Sequence, residues 1–331
     1  PVSGLNGTHK NYWECETGIA YLVSGVTEST KVPSDPSGYR RWRTHRMTQV
    51  FDLGDPANPR FIRNFGIAGQ QPGATARRVP QGVHGCISVP ARQRVYCGHG
   101  TSSDGIVMIL DRKELLDPKV EWADRKNPTA AELNAAVVAR LDMPKFMGAH
   151  TTFPVLDLQI PDLGPVNARR DMLVVVNESL SNECKESRQS VYLVDITDES
   201  HPWPVSTFNV GRYNAPGPIK DFCRRGGRFG AHASNESFAA VFYRKLVAVS
   251  WFNAGVRLID IRDPLHPVEA AYFIPRTSKH TTRRDGKIAV QTNNVEVDDR
   301  GFVYITDRAN TGLHILAVSG DALGSPAQTP R

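Results

Sequence analysis

The sequence predicts an all-β fold, a five-bladed β-propeller with one inserted helix, and three observations predict it. A unit of short, strand-like apolar runs recurs five times along the 331 residues. The units end in shared Asp/Pro turn chemistry, and helix-forming stretches are nearly absent. Self-similarity built only of short strands, here at spacings of roughly 60 to 80 residues, is the signature of propeller blades around a central channel.

The most regular part of the unit reads VFDLGDPANP (50–59), ILDRKELLDP (109–118), LVDITDESHP (193–202) and LIDIRDPLHP (258–267). Each is an apolar strand stopped by Asp and Pro, which favour turns over ladder pairing. Upstream of each sits a second strand, IAYLVSG (19–25), RVYCGHG (94–100), MLVVVNES (172–179) and LVAVSWF (246–252). The fifth unit runs GFVYITD (301–307) into GLHILAVSG (312–320). Further upstream lies a first strand in each unit: NYWECETG, HGCISVPARQ, HTTFPVLD, HASNESFAAVFYRK and NNVEVDDRG. The exception is NPTAAELNAAVVARL (127–141), with Pro in its first turn and good helix formers after it, read as a helix inserted outside the second blade. The whole chain, 1–331, is expected to be one propeller domain.

The repeat places the histidines. In a blade the first strand lines the channel, so its first residue lies at the channel mouth. Counting back from the hairpin bends puts His9, His84, His150 and His232 at that position in blades one to four, with Asn293 there in the fifth and Asn294 beside it. The triplet Gly-Ala-His at 148–150 and 230–232 recurs for this reason, with small residues where backbones crowd near the axis. The ends of the second strands add Ser24, His99, Glu178, Trp251 and Asp307 as pairing positions. By this count His99 lies near His84, Glu178 near His150 and Asp307 near Asn293.

Four neutral imidazoles in register suit Fe, Cu, Zn, Mn or Ni, and a carboxylate behind an imidazole orients it as a ligand. A lone histidine would more simply donate to a neighbouring backbone; four at one end of a channel favour a metal. The expected site is therefore one divalent transition metal held by His9, His84, His150 and His232, with Asn293 or an open position facing substrate. Glu178, Asp307 and His99 support the ligands, and Trp251 with Trp13 forms an apolar wall. The expected activity is that of a metal-dependent oxidoreductase or oxygenase using Fe or Cu on a small organic substrate. A Zn or Mn hydrolase or lyase on the same site is the alternative, and a non-catalytic binding propeller with structural histidines is the rival from another class.

Composition sets the remaining bounds. Hydrophobic content of 40% and charged content of 22% are those of a soluble globular chain, with no apolar run long enough to span a membrane. The net charge is +6, and arginines cluster at RRWRTHR (40–46), ARR (76–78) and CRRGGR (223–228), which carry no nucleic-acid-binding signature and read mainly as solvated loops, with an anionic substrate guided by one cluster left open. The opening PVSGLNGTHKNYW lacks the layout of a signal peptide, which points to the cytoplasm and leaves an exported form open. Five cysteines, Cys15, Cys86, Cys97, Cys184 and Cys223, show no metal spacing. Cys86 could face Cys97 across a hairpin and Cys184 could link to Cys223, but free buried thiols are the expectation. A homo-oligomer is left open; nucleic acid and membrane are not expected partners.

Several segments resemble a known family. LVSG (22–25), LVVV (173–176), LIDIRDPLHP and the stretch 293–316 look like the LVIVD-repeat β-propeller proteins. YWEC (12–15), GQQPGAT (69–75) and RGGRFGAH (225–232) are similar to segments of a bacterial subgroup of that family. The resemblance covers nearly the whole chain and implies the propeller fold; for chemistry it implies little. Relatives often carry a second histidine and HEN after the RGGRFG segment, where this chain has Ala233, Ser234, Asn235 and Glu236, a departure that bears on substrate. Propellers that hold iron on four axial histidines, as carotenoid-cleaving oxygenases do, and a propeller that uses copper in thiol oxidation are analogies of architecture only.

Weaker signals complete the reading. GQQPGATARR (69–78) leads into His84 and is either a channel cap or an ordinary connector. His45 with Arg43 and Arg46 is either an anion site or a solvated strand. No GxSxG elbow is present for serine catalysis, and Cys86 or Cys97 is a weak candidate thiol nucleophile.

Overall fold

Five small antiparallel sheets carry almost all the regular structure, and the fold is an all-β, five-bladed β-propeller. The computed structural model describes residues 5–26, 42–119, 121–160, 163–164, 168–282 and 286–324. Arg40 and Arg41 of the first basic cluster lie outside the described residues. The chain divides into two compact units, 1–145 and 146–331.

In the first unit, β1 (Leu5–Asn6) and β2 (Tyr12–Trp13) both pair with β3 (Ile19–Val26), which continues to β4 (Met47–Asp52) and β5 (Arg60–Phe65). The second sheet is the meander β6 (Val83–Val89), β7 (Arg94–His99), β8 (Ile106–Asp111) and β9 (Val137–Asp142). Tyr21, Val23, Met47, Val50, Val95 and Leu110 pack in one core, each with no exposed surface. Burying a side chain of this size is worth about 1.5–3 kcal/mol, so this core is the main term holding the unit.

The second unit holds three sheets. One runs β10 (Thr151–Gln159), β11 (Arg169–Val176), β12 (Val191–Asp195), β13 (Trp203–Phe208). The next is β14 (Leu246–Ser250), β15 (Val256–Asp260), β16 (Val268–Phe273), and the last β17 (Thr292–Val297), β18 (Phe302–Asp307), β19 (Leu313–Ala317). Met172 through Val176 are buried on both faces, as their unbroken apolar run requires.

The repeated Asp/Pro motif folds the same way each time. At the end of each third strand the Asp side chain accepts a backbone N–H just ahead of it: Asp52 from Gly54 at 2.8 Å, Asp111 from Glu114 at 2.9 Å, Asp195 from Thr197 at 2.8 Å, Asp260 from Arg262 at 3.0 Å. The Asp of the following turn repeats the device, Asp55 to Ala57, Asp198 to Ser200 and Asp263 to Leu265. These are Asx turns, in which the carboxylate replaces the ladder partner that the strand loses. Just before each Asp the pairing to the outer strand slips by a bulge, at Val50/Phe51, Ile109/Leu110, Leu193/Val194 and Leu258/Ile259. A bulge bends and twists the strand locally, and its recurrence gives the four sheets the same outer edge.

Three expectations change. The helix read over 127–141 shrinks to Ala130–Ala135, capped by Thr129 and Glu132, and its second half is β9. Val137 and Val138 are β-branched and Val137–Asp142 pairs along β8, so strand pairing wins over helix propensity. A short helix also forms at Arg112–Leu116, where Asp111 serves as its N-cap. In the fourth sheet the expected first strand is not a regular strand. Residues 232–235 run beside β14 through a single bridge, Ser234 to Val249, with His232 N–H donating to Ser250 at 3.0 Å and Asn235 N–H to Ala248 at 2.9 Å.

The cysteines also differ from the free-thiol expectation. Cys86 and Cys97 are direct partners on β6 and β7 and form a disulfide, and Cys184 and Cys223 form a second. Cys15 is free and exposed. No thiol nucleophile remains at Cys86 or Cys97. Among the described residues no helix is long and apolar enough to cross a membrane.

Candidate metal centre

Each unit brings two of the four histidines together. In the first, His9 follows β1 in an exposed connection, held by its N–H to Val23 at 3.0 Å, and His84 is the buried second residue of β6. Their Nε2 atoms are 2.8 Å apart with the rings edge to face. Burial, then the positive charges of Arg46 and Lys10, hold the His9 imidazole below its ordinary pKa, so it is neutral at pH 7. Two imidazole nitrogens on one ion at about 2.0–2.1 Å stand roughly 3 to 3.5 Å apart, so this pair, at hydrogen-bond distance, is slightly closer than two ligands of a shared ion.

The strands that carry the pair are locked at their far ends. Buried Glu14 accepts from Arg112 Nε at 2.9 Å and Nη2 at 2.6 Å, from Tyr21 at 2.8 Å, from Ser88 at 2.5 Å and from Thr17. The Tyr12 hydroxyl donates to the Ser88 carbonyl at 3.1 Å. Burial alone raises the Glu14 pKa, but the donors, Arg112 foremost, bring it below the usual carboxylate value.

In the second unit His150 and His232 lie with ring centres 4.5 Å apart. Glu178, two residues past the end of β11, reaches both: Oε2 is 3.9 Å from His150 Nε2 and Oε1 is 3.6 Å from His232 Nε2. All three are buried. The other ring nitrogens are engaged. His150 Nδ1 meets Thr151 Oγ1 at 3.0 Å, and His232 Nδ1 meets the Asn293 carbonyl at 2.5 Å, an oxygen that also accepts from Ser250 Oγ. Donation from Nδ1 to a carbonyl leaves the lone pair on Nε2, the arrangement that metal-ligating histidines use.

Arg228 completes the cluster. Its Nη1 donates to Glu178 Oε1 at 3.0 Å and to the Ser179 carbonyl at 3.1 Å, and its guanidinium lies 5.3 Å from the centre of the Phe252 ring. That ring stacks at a tilt on His232, 5.0 Å away. Phe252 is fully buried with φ of 42°, a left-handed backbone that costs a non-glycine residue energy and clusters at functional sites. The sequence reading missed Arg228 as the residue that fixes Glu178, although it stands inside the RGGRFGAH segment.

The other expected positions are distributed as follows. Asn293 presents its backbone carbonyl to His232, while its side-chain amide donates to Asn294 at 2.6 Å. His84 and Asn293 each sit at a bulge, between Val83 and Gly85 and between Thr292 and Asn294, which supports their equivalence. The bulges shift the count by one, so His99 pairs with Val83 and Asp307 with Thr292. Asp307 is taken up by backbone N–H groups of Gln291 at 2.5 Å, Ala309 at 2.7 Å and Thr311 at 3.2 Å, the work of a turn residue. Burial pushes the His99 imidazole down to about 4 against opposing hydrogen bonds that the ring donates to the Ile106 and Cys97 backbone. Trp251 is buried in the core with its ring edge against Phe208, whereas Trp13 is 53% exposed. Ser24 is buried and donates to the Gly25 carbonyl.

The two loops singled out earlier are structural in their visible contacts. Gln70 of GQQPGATARR is wholly buried, accepts from Ile67 N–H and donates to the Pro80 and Gln81 carbonyls, tying the loop shut. His45 is exposed, and Arg43 donates to the Ala74 carbonyl at 3.0 Å.

No protein-family profile and no curated protein sequence matches the chain. Solved structures do. Hydrazine synthase from Kuenenia stuttgartiensis aligns with TM-score 0.47 at 9% identity, over 93% of this chain and 71% of the other. A hypothetical selenium-binding protein from Sulfolobus tokodaii aligns with TM-score 0.37 at 12% identity, over 89% and 80%. The β-propeller domain of Cps50 (Swd1) from Myceliophteria thermophila aligns with TM-score 0.47 at 8% identity, over 94% and 84%. At these values the likenesses say nothing about chemistry.

Proposed function

We propose that His150, His232 and Glu178 ligate a divalent transition metal and that the protein is a metal-dependent oxidoreductase acting on a small organic substrate. The observation that carries this reading is the carboxylate of Glu178 set between two imidazole Nε2 atoms at 3.9 and 3.6 Å, with both Nδ1 atoms engaged elsewhere. Ligands sharing one ion at about 2.0–2.2 Å stand roughly 3 to 4 Å apart, so small rotamer shifts bring all three to bonding distance. The proposed donor set differs from the histidine-only set expected from the repeat, because the Glu178 carboxylate stands 3.9 and 3.6 Å from the two Nε2 atoms. Two histidines and a carboxylate favour iron, with copper next and zinc or manganese as alternatives. His9 and His84 are the matching ligand pair of the first unit on this reading.

Bound iron or copper would supply oxygen-activating chemistry, and zinc or manganese Lewis acidity. The chain's own residues have definite tasks. The Asn293 carbonyl and Thr151 hydroxyl hold the imidazole tautomers, Arg228 aims the Glu178 carboxylate, and the buried Phe252 ring limits water on the His232 side.

The test is oxygen consumption by metal-loaded protein across a panel of small organic compounds. Turnover that stops under argon, with chelator and in Glu178→Gln supports an oxidoreductase. Turnover that continues without oxygen assigns hydrolase or lyase chemistry, and no turnover with a properly loaded site favours a binding protein. The two disulfides support a working location in an oxidising compartment in place of the cytoplasm.

A further inference from the structure

Beside the Glu178 cluster the second unit contains a pocket of about 80 Å³ that neither the repeat nor the proposed activity assigns. Arg228, Lys287 and Arg308 line it from three separate segments, together with Asn182, Gln291 and Gly227. Among the described residues lining it there is no carboxylate. Lys287 is exposed, and its ammonium is oriented by Glu183 at 2.8 Å and the Arg224 carbonyl at 3.2 Å.

The walls are preorganised. Asn182 and Arg228 form a backbone bridge, and Gln291 accepts from Arg228 N–H at 2.9 Å while donating to the Val290 carbonyl at 2.6 Å. Gly227 has φ of 66°, and a Cβ there would come 2.2 Å from Gln291 Nε2, so only glycine lets the two walls approach this closely. Arg228 reaches from this pocket to Glu178, and the Arg228 and Arg308 guanidinium groups flank the same Phe252 ring at 5.3 and 6.0 Å. The same ring lies against His232.

We infer that this pocket binds the carboxylate of the substrate, which makes the substrate a small organic acid. Two planar guanidinium forks and an ammonium around a space of this size suit a carboxylate, and charge-assisted bonds of this kind are the strong ones. A carboxylate held there sets the rest of the molecule beside Glu178 and His232, one guanidinium away. The assignment of a substrate rests on the metal-centre reading; the anion pocket itself does not.

Calorimetric titration at fixed ionic strength with acetate, benzoate and inorganic phosphate tests it, on wild type, Lys287→Met, Arg308→Gln and His232→Ala, each checked for folding by circular dichroism. The expected result is saturable binding of a carboxylate in preference to phosphate, weakened about tenfold or more in Lys287→Met and Arg308→Gln and kept in His232→Ala. No saturable carboxylate binding, equal affinity in both cation variants, or preference for phosphate overturns it. Carboxylate binding by a protein that takes up no metal sinks the metal reading and leaves the pocket standing.

Discussion

Arg112→Met removes the charge that faces Glu14 while keeping most of the side-chain stem. Arg112 donates twice to Glu14, and the ion-paired side chains are 11% and 1% exposed. Removing one partner of a buried pair costs about 3–5 kcal/mol, because the other charge stays behind. Tyr21, Ser88 and Thr17 still donate to the carboxylate, so the low end, about 3 kcal/mol, is expected. For a domain of this size that lowers Tm by about 4 °C. Glu14 titrates below its ordinary value in the folded protein, so its contribution is complete above the unfolded value near pH 4.3 and is lost as pH falls through the lower native value. The Arg112→Met deficit is therefore largest at neutral pH and narrows in acid. Glu14→Gln combined with Arg112→Met recovers part of the loss, since no buried charge remains. Thermal unfolding by circular dichroism between pH 3 and pH 7 reads all of this. A deficit below about 1 kcal/mol, which is what an exposed pair would give, or one that does not change with pH, would refute the reasoning.

Other outcomes follow from single sites. Gly227→Ala forces a left-handed residue against Gln291 and should cost about 1–3 kcal/mol, read as a lower denaturation midpoint; an unchanged midpoint contradicts the close approach. His99 is neutral in the fold with its imidazole held at about 4, so stability is full above the unfolded value near 6.5 and declines as pH drops toward 4. His99→Phe should lack that slope, and a variant with the wild-type slope places the titration elsewhere. Unreduced, denatured protein should show one reactive thiol, from Cys15, and five after reduction; five without reductant would remove both disulfides.

The repeat was legible because its signals are local. Asp52, Asp111, Asp195 and Asp260 each bond to a backbone amide two or three residues ahead, so the turns show in the sequence as they do in the structure. Glu178 and His150 were placed by counting along one hairpin, and both stand just past its last paired residues, Thr151↔Val176, although the register shifts once between Val155 and Leu158. The same count slipped for His99 and Asp307, where a bulge leaves no mark in composition. Arg228 was out of reach, since its partner Glu178 lies on a different loop fifty residues earlier. The helix over 127–141 failed in its second half because the Thr129 capping box is a local signal and the pairing of Val137–Asp142 with β8 is not. The disulfides follow from strand register and loop closure, and spacing alone left them undecided.

Elemental analysis by plasma mass spectrometry, on protein purified without a histidine tag, tests the central claim most directly. Wild type, His150→Ala, His232→Ala and Glu178→Gln are measured together, with circular dichroism confirming that each is folded. His84→Ala in the same series reads the ligand pair of the first unit. The account predicts bound iron or copper near one equivalent in wild type, lost from all three second-unit variants. No metal above background, and none taken up on reconstitution of folded wild-type protein, contradicts it.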